Sequence, residues 1–350
     1  MSRALDIAIH PAMQRRRTAP ARLSTLLRAT STPTFTTPPA PLRLPERYIT
    51  PTASRHLAAI TAHRTRRATV LAVAFAPPPA ASPEARIVAA LKVGARYFLE
   101  QLGVRTARWE ACDRILTPAS DEIEMFQALI ERGSEVSLEE IGGVTILVWG
   151  AAIVCRRACN EFLMTAGHEM AHLLSGVLYS YACGQDDCIV SERVVQSGIR
   201  HGHLFRGLHE GLTELIGREF VLHVLTHQPE LIGFQAPPAM DGTESDFLLV
   251  NGCGYIPQAR VVERIAHDAA VRFDCEPIRM LHFLFRAALQ CDWSVYPLIH
   301  ALYGTRLTRT IAEMTGLPAS GWHCLDMITP TRSGRGPHMV PTKTDERATP

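Results

Sequence analysis

Long apolar runs are missing from this sequence. None reaches the roughly 18 residues that a membrane-crossing helix needs, so no span is expected. A strong net charge is missing as well: 36 Lys and Arg stand against 34 Asp and Glu, a formal charge of +2. That balance gives the whole molecule no field with which to bind nucleic acid or a charged membrane surface. CxxC pairs are absent, and the nine cysteines are scattered through apolar segments. This argues for reduced, mostly buried thiols and against a disulfide framework. Cys155/Cys159 and Cys183/Cys188 are spaced as metal or disulfide pairs can be, but core packing is the commoner use of such residues. No internal repeat is visible. Acidic residues are almost absent from the first 76 positions, where Arg3, Arg15, Arg16, Arg17, Arg22, Arg28, Arg43, Arg47, Arg55, Arg64, Arg66 and Arg67 face only Asp6 and Glu46.

A basic leader therefore precedes a more acidic body. Residues 1–80 carry "RATSTPTFTTPPAPLRLP" and "APPPAASP", stretches too poor in apolar side chains to offset their ordering entropy. They are expected to be disordered, as is the tail over residues 330–350. The leader's arginine, serine and threonine content also suits a transit or export signal. Location in the cytoplasm is the expectation, with export through the leader as the alternative. Between these ends, residues 81–329 are expected to form one domain.

Within that domain, "SPEARIVAALKVGARYFLEQLG" reads as a helix with Ser82 as N-cap, Pro83 at the first helical position and a stripe of Ile87, Leu91, Ala95, Phe98 and Leu102. A further helix is expected after Ser120. "GGVTILVWGAAIVC" reads as a buried strand or strand pair. A helix capped by Asn160 and running to about Tyr181 is expected next, apolar on nearly all sides and so buried. The polar stretch from Ala182 to Phe205 reads as a loop. "RGLHEGLTELIGREFVLHVLTH" then restores helical periodicity, a long Pro- and Gly-punctuated connection comes after it, and short helices are expected from Pro257 to Met314.

The helix capped by Asn160 contains "HEMAH". Positions four apart on an α-helix differ by roughly 40° in direction, so His168 and His172 leave the same face one turn apart. Two imidazoles need that arrangement to share one ion at about 2 Å. Glu169 points about 100° away, out of range as a natural third ligand but within reach of a water beside the ion. In a chain of this composition the pattern arises by chance in roughly a few per cent of cases. A buried glutamate between histidines is expensive unless something satisfies it. Gly167 costs its helix about 1 kcal/mol relative to alanine, which the close approach of another backbone would explain.

A third ligand is expected from "GLHEGLTEL", where Glu210 and Glu214 again stand at i and i+4. One carboxylate can bind the ion while the other anchors a ligand imidazole. "HEMAH" followed by "EGLTE" resembles the gluzincin zinc metallopeptidases, over roughly Gly142 to Phe220. That resemblance implies His168, His172 and Glu210 as ligands of one Zn²⁺ per chain, Glu169 as general base and Glu214 as the carboxylate orienting His168. It also implies a tyrosine or histidine that stabilises the oxyanion. Tyr255 is the candidate, with His300 and His323 behind it. The 37 residues between His172 and Glu210 exceed the usual spacer, so an insertion must loop out. His201, His203 and His209 are rival ligands. Ser175 and Leu178 stand where a metzincin has its glycine and third histidine, and no GxMEN-like strand precedes the helix, which argues against the large aminopeptidases.

The sequence thus leads to an α+β, zincin-like metalloprotease domain with a small β-sheet, a central HExxH helix and a mainly helical C-terminal half. The expected activity is zinc-dependent hydrolysis of a peptide or protein substrate. Two alternatives remain at this point: a non-catalytic zincin-fold binding protein, and a binder of nucleic acid or anionic surfaces that works through the basic leader.

Overall fold

A computed structural model describes residues 3–5, 78–105, 109–118, 142–147, 150–155, 158–183, 189–232 and 255–329. The helix expected after Ser120, the tail over 330–350, most of the long connection before Tyr255 and nearly all of the leader lie outside the described residues.

The chain is α+β and mostly helical, with two small sheets among the described residues. Strand β1 (Arg3–Leu5) is its first described element. Helix α1 (Pro83–Gln101) starts as its sequence dictates: Ala85 N–H donates to the Ser82 hydroxyl at 3.1 Å, and Pro83 opens the first turn. Its stripe of Ile87, Leu91, Ala95 and Phe98 is buried. Burial of each such aliphatic or aromatic side chain stabilises by about 1.5–3 kcal/mol. After a 3₁₀ turn (Trp109–Asp113) come strands β2 (Ile115–Leu116), β3 (Gly143–Ile146) and β4 (Ala151–Val154). They form one sheet in the order β2-β4-β3, with β2 parallel and β3 antiparallel to β4. The apolar glycine-led stretch is therefore a strand pair, with β3 on its edge.

Helix α2 (Cys159–Leu174) carries HEMAH and buries Phe162, Leu163, Met170, Leu173 and Leu174. It begins two residues earlier than expected, with Ala158 rather than Asn160 at the N-cap position, and ends sooner, at Ser175 rather than near Tyr181. The Ser175 amide closes on the carbonyls of Ala171 and His172, and its hydroxyl donates to Ala171 O at 2.9 Å. Gly176 then passes so close to the next elements that a Cβ there would lie 2.9 Å from the Cys291 amide nitrogen. Beyond it the chain continues as strand β5 (Val177–Cys183), not as helix. The polar stretch after β5 is not a loop either: β6 (Ile189–Ser197) pairs antiparallel with β5, and β7 (Arg200–His201) returns along β6. Strand β1 pairs with the other edge of β5, giving a second sheet in the order β1-β5-β6-β7. The long spacer between His172 and Glu210 is thus largely a hairpin.

Helix α3 (Arg206–His227) is the hub. It packs against α1 and α2, and against α4 (Ile256–Phe273), α5 (Pro277–Gln290) and α6 (Val295–Glu313). It is buried on most of its circumference, through Leu208, Leu212, Ile216, Phe220, Val221 and Val224 and through His209, Glu210 and Glu214. Two expected helices are joined in α6, which bends at Gly304 where the backbone takes φ 68°. Helix α7 (Pro318–Ile328) packs against α4 and α6 and ends the described chain. Among the described residues no helix is long and apolar enough to cross a membrane.

Candidate metal centre

Helices α2 and α3 come together at two glycines. A Cβ on Gly167 would sit 2.9 Å from Val221 Cγ2 and 3.1 Å from the Gly217 carbonyl, and one on Gly217 would sit 2.9 Å from the His168 nitrogen. Only residues without a Cβ allow the backbones this near. The crossing accounts for Gly167 inside a helix, and it brings His168 and His172 against Glu210 and Glu214.

His168, His172 and Glu210 form the group capable of holding a metal ion, each offering one ligand atom, all within 4.8 Å of one another. Glu210 Oε2 lies 3.1 Å from His172 Nε2 and 3.5 Å from His168 Nε2. Two ligands each about 2 Å from a tetrahedral ion stand about 3.3 Å apart, so both edges have the size a bound ion requires. The donor set of two imidazoles and one carboxylate is also one that zinc accepts with a coordination position left open.

His168 is oriented from behind. Its Nδ1 is 3.2 Å from Glu214 Oε2, and Arg218 Nε donates to Glu214 Oε1 at 3.1 Å. With Nδ1 carrying the proton toward Glu214, Nε2 is the nitrogen turned to Glu210. The charged groups of this cluster hold one another against the cost of burial. Burial alone would lower the pKa of His168, yet hydrogen bonds to Glu210 and Glu214 and the charge of Glu169 raise it to about 10. Burial alone would raise Glu210, yet the charges and hydrogen bonds of His172 and His168 hold it well below the usual carboxylate range. Glu214 is lowered in the same way, against its burial, by His168 and Arg218. Each carboxylate needs a positive partner, and a divalent cation bound to this cluster would supply one.

Glu169 is 6% exposed and lies beside the edge strand β3. The Thr145 hydroxyl donates to Glu169 Oε2 at 2.6 Å and lies 3.2 Å from the Glu169 carbonyl. Gly143 makes room for the arrangement: a Cβ there would come within 3.1 Å of Glu169 Cγ. Thr145 is thus a functional candidate that sequence reasoning missed. The only signal was a hydroxyl in an otherwise apolar strand. Arg218 was missed too, although its i+4 relation to Glu214 is readable in the sequence.

Tyr255 stands at the start of α4 with its ring stacked on His168, centroids 5.0 Å apart and planes 12° from parallel. A Cβ on Gly316 would meet Tyr255 Cε1 at 3.3 Å and Glu210 Cγ at 3.9 Å, so the segment before α7 also borders the cluster. Gln258 fastens that segment by donating to the carbonyls of Thr315 and Leu317 at 3.1 and 2.9 Å.

The rival histidines are elsewhere. His201 packs on Trp293 and His203 is exposed, while His300 and His323, the oxyanion candidates behind Tyr255, are exposed too, His300 bonded to Thr305. His209 is near but outside the ligand group. Its ring meets His172 edge-on at 5.1 Å, and neither of its nitrogens has a hydrogen-bond partner among the described residues. Burial and the charge of His172 push it down to about 3, so it is neutral. Compared with known proteins, the chain matches no family model, no curated protein and no solved structure.

Proposed function

We propose that this chain is a zinc-dependent peptidase of the gluzincin type, with a zincin-like domain. The reading is carried by one observation: two imidazoles from the HEMAH helix and one carboxylate from the EGLTE helix meet at ligand spacing, with Glu169 beside them. His168, His172 and Glu210 are the residues that would hold zinc. When bound, zinc supplies a Lewis acid that lowers the pKa of water towards about 7.

Glu169 is assigned the proton transfers. Thr145 donates to Oε2 and leaves the carboxylate other lone pairs, with which Glu169 takes a proton from the attacking water and returns it to the leaving amine. Thr145 also fixes the rotamer, which keeps the base aimed at one point. Glu214 and Arg218 hold His168 in the tautomer that presents Nε2. The stacked ring of Tyr255 supports its assignment as the donor that steadies the oxyanion. Removing such a donor typically lowers kcat by about 10²–10³, so Tyr255→Phe is expected to do so without loss of bound metal.

The test is a peptide-hydrolysis assay on the zinc-loaded full-length protein beside Glu169→Gln. Cleavage by the wild type that falls by about 10²–10⁴ in the variant is expected. A folded, zinc-bearing wild type silent on every peptide of a broad library would contradict the enzyme reading.

A further inference from the structure

Helix α3 carries another pair of imidazoles at its far end. His223 and His227 stand at i and i+4 in its last turns, so both project from one face. At about 1.5 Å of rise per residue, they lie about 20–25 Å along the helix from Glu210. Their rings stack with centroids 4.2 Å apart and planes 25° from parallel. His227 is exposed and His223 half-buried, so solvent and small ions reach the pair.

Both rings are held in place, and each keeps nitrogen to offer. The Tyr97 ring of α1 lies 5.1 Å from the His223 ring, and α1 comes so near that a Cβ on Gly94 would sit 3.0 Å from His223 Cβ. Among the described residues no hydrogen bond uses the His223 nitrogens. His227 Nδ1 lies 2.9 Å from the His223 carbonyl. A proton donated there leaves the lone pair on Nε2, and imidazoles that bind metals are commonly fixed in this way through the other nitrogen.

The surroundings favour a cation. The last carbonyls of α3, which ends at His227, form the negative pole of the helix dipole. Glu219 stands one turn before His223 on the same face, with no basic side chain paired to it among the described residues. Burial and then the charge of His227 lower the pKa of His223. The neutral imidazole, the form that binds metal, is thereby favoured.

We propose that His223 and His227 form a second metal site, an exchangeable surface chelate for a divalent late-transition ion such as Ni²⁺, Cu²⁺ or Zn²⁺. Imidazole suits these metals, and two of them one helical turn apart repeat the spacing of HEMAH on a face open to water. A small rotation of the exposed His227 ring, a ps–ns motion for such side chains, brings one nitrogen of each ring to the roughly 3 Å that separates two ligands of one ion. The site is independent of the peptidase reading.

The experiment is a calorimetric titration with Ni²⁺ of the full-length protein, loaded with zinc and freed of unbound zinc, beside His223→Gln, His227→Gln and His168→Ala. Two linked donors exceed either alone by about 10²–10⁴ in affinity. Nickel binding by the wild type is therefore expected to weaken by about 100-fold or more in each of the two surface variants, and to persist in His168→Ala. Nickel bound as tightly by either surface variant as by the wild type, or no nickel taken up by the wild type, would overturn the site. Nickel lost in His168→Ala would place the ion at the HEMAH cluster and overturn it as well.

Discussion

At the residue scale, four side chains would bear the proposed chemistry: His168, His172 and Glu210, which lie at ligand spacing, and Glu169 beside them in the helix. Others hold them in place. Glu214 links His168 to Arg218, and replacing such a carboxylate typically weakens metal affinity about 10- to 100-fold. Glu214→Ala is therefore expected to bind zinc in that weaker range while staying folded, as measured by competition with a chromophoric chelator. An affinity equal to wild type would show that the carboxylate does not orient His168. Thr145→Val separates holding from binding, since it keeps the β-branched shape of the strand residue and removes the hydroxyl that fixes Glu169. Its kcat is expected to fall by about 10- to 100-fold, the worth of one hydrogen bond to a charged group, with metal content unchanged. Much of this was legible in the sequence, because i and i+4 spacing on a helix fixes direction. HEMAH and EGLTE each declare a face, and Glu214 follows from Glu210. Thr145 was not legible as part of the site, and His209, which the sequence offers as a rival ligand, lies outside the ligand group. What one hydroxyl or one imidazole does depends on what packs opposite, and neither motif contains that information.

At the scale of elements, the site exists because α2 and α3 cross with Gly167 facing Gly217. Gly217→Ala puts a methyl group 2.9 Å from backbone atoms of α2. Overpacking of this kind costs about 1–3 kcal/mol, to be read as a shift in the denaturation midpoint. The variant is also expected to hold zinc more weakly, because the helices must separate. Unchanged stability would mean that the contact is not tight. The sequence made the helices plain and their ends less so. An apolar pattern continued past Ser175 and Gly176, where the chain turns into β5, because Val177, Tyr179 and Tyr181 suit a strand as well as a buried helix. The β6 stretch was unreadable as a strand for a related reason: its pairing with β5 is made by backbone groups, which require no apolar alternation along the strand. Even so, the looped-out insertion expected between His172 and Glu210 corresponds to this hairpin.

For the whole molecule, α3 is the shaft on which the core and the candidate site are both built, so the proposed metal binding would be coupled to folding. A ligand that binds the folded chain alone stabilises it by RT ln(1 + [L]/Kd), or about 2.7 kcal/mol at a hundred times Kd. Zinc is expected to raise Tm, and a chelator to return it to the apo value. No shift with zinc would mean that the folded state does not bind it.

The most direct test of the metal centre is the zinc content of the purified full-length protein, by elemental analysis, for the wild type and for His168→Ala, His172→Ala and Glu210→Ala. About one zinc per wild-type chain, lost in each variant, is the predicted result. A folded wild type that takes up no metal when zinc is offered, or variants that keep it, would contradict the three-ligand site and leave HEMAH as a pattern on a core helix.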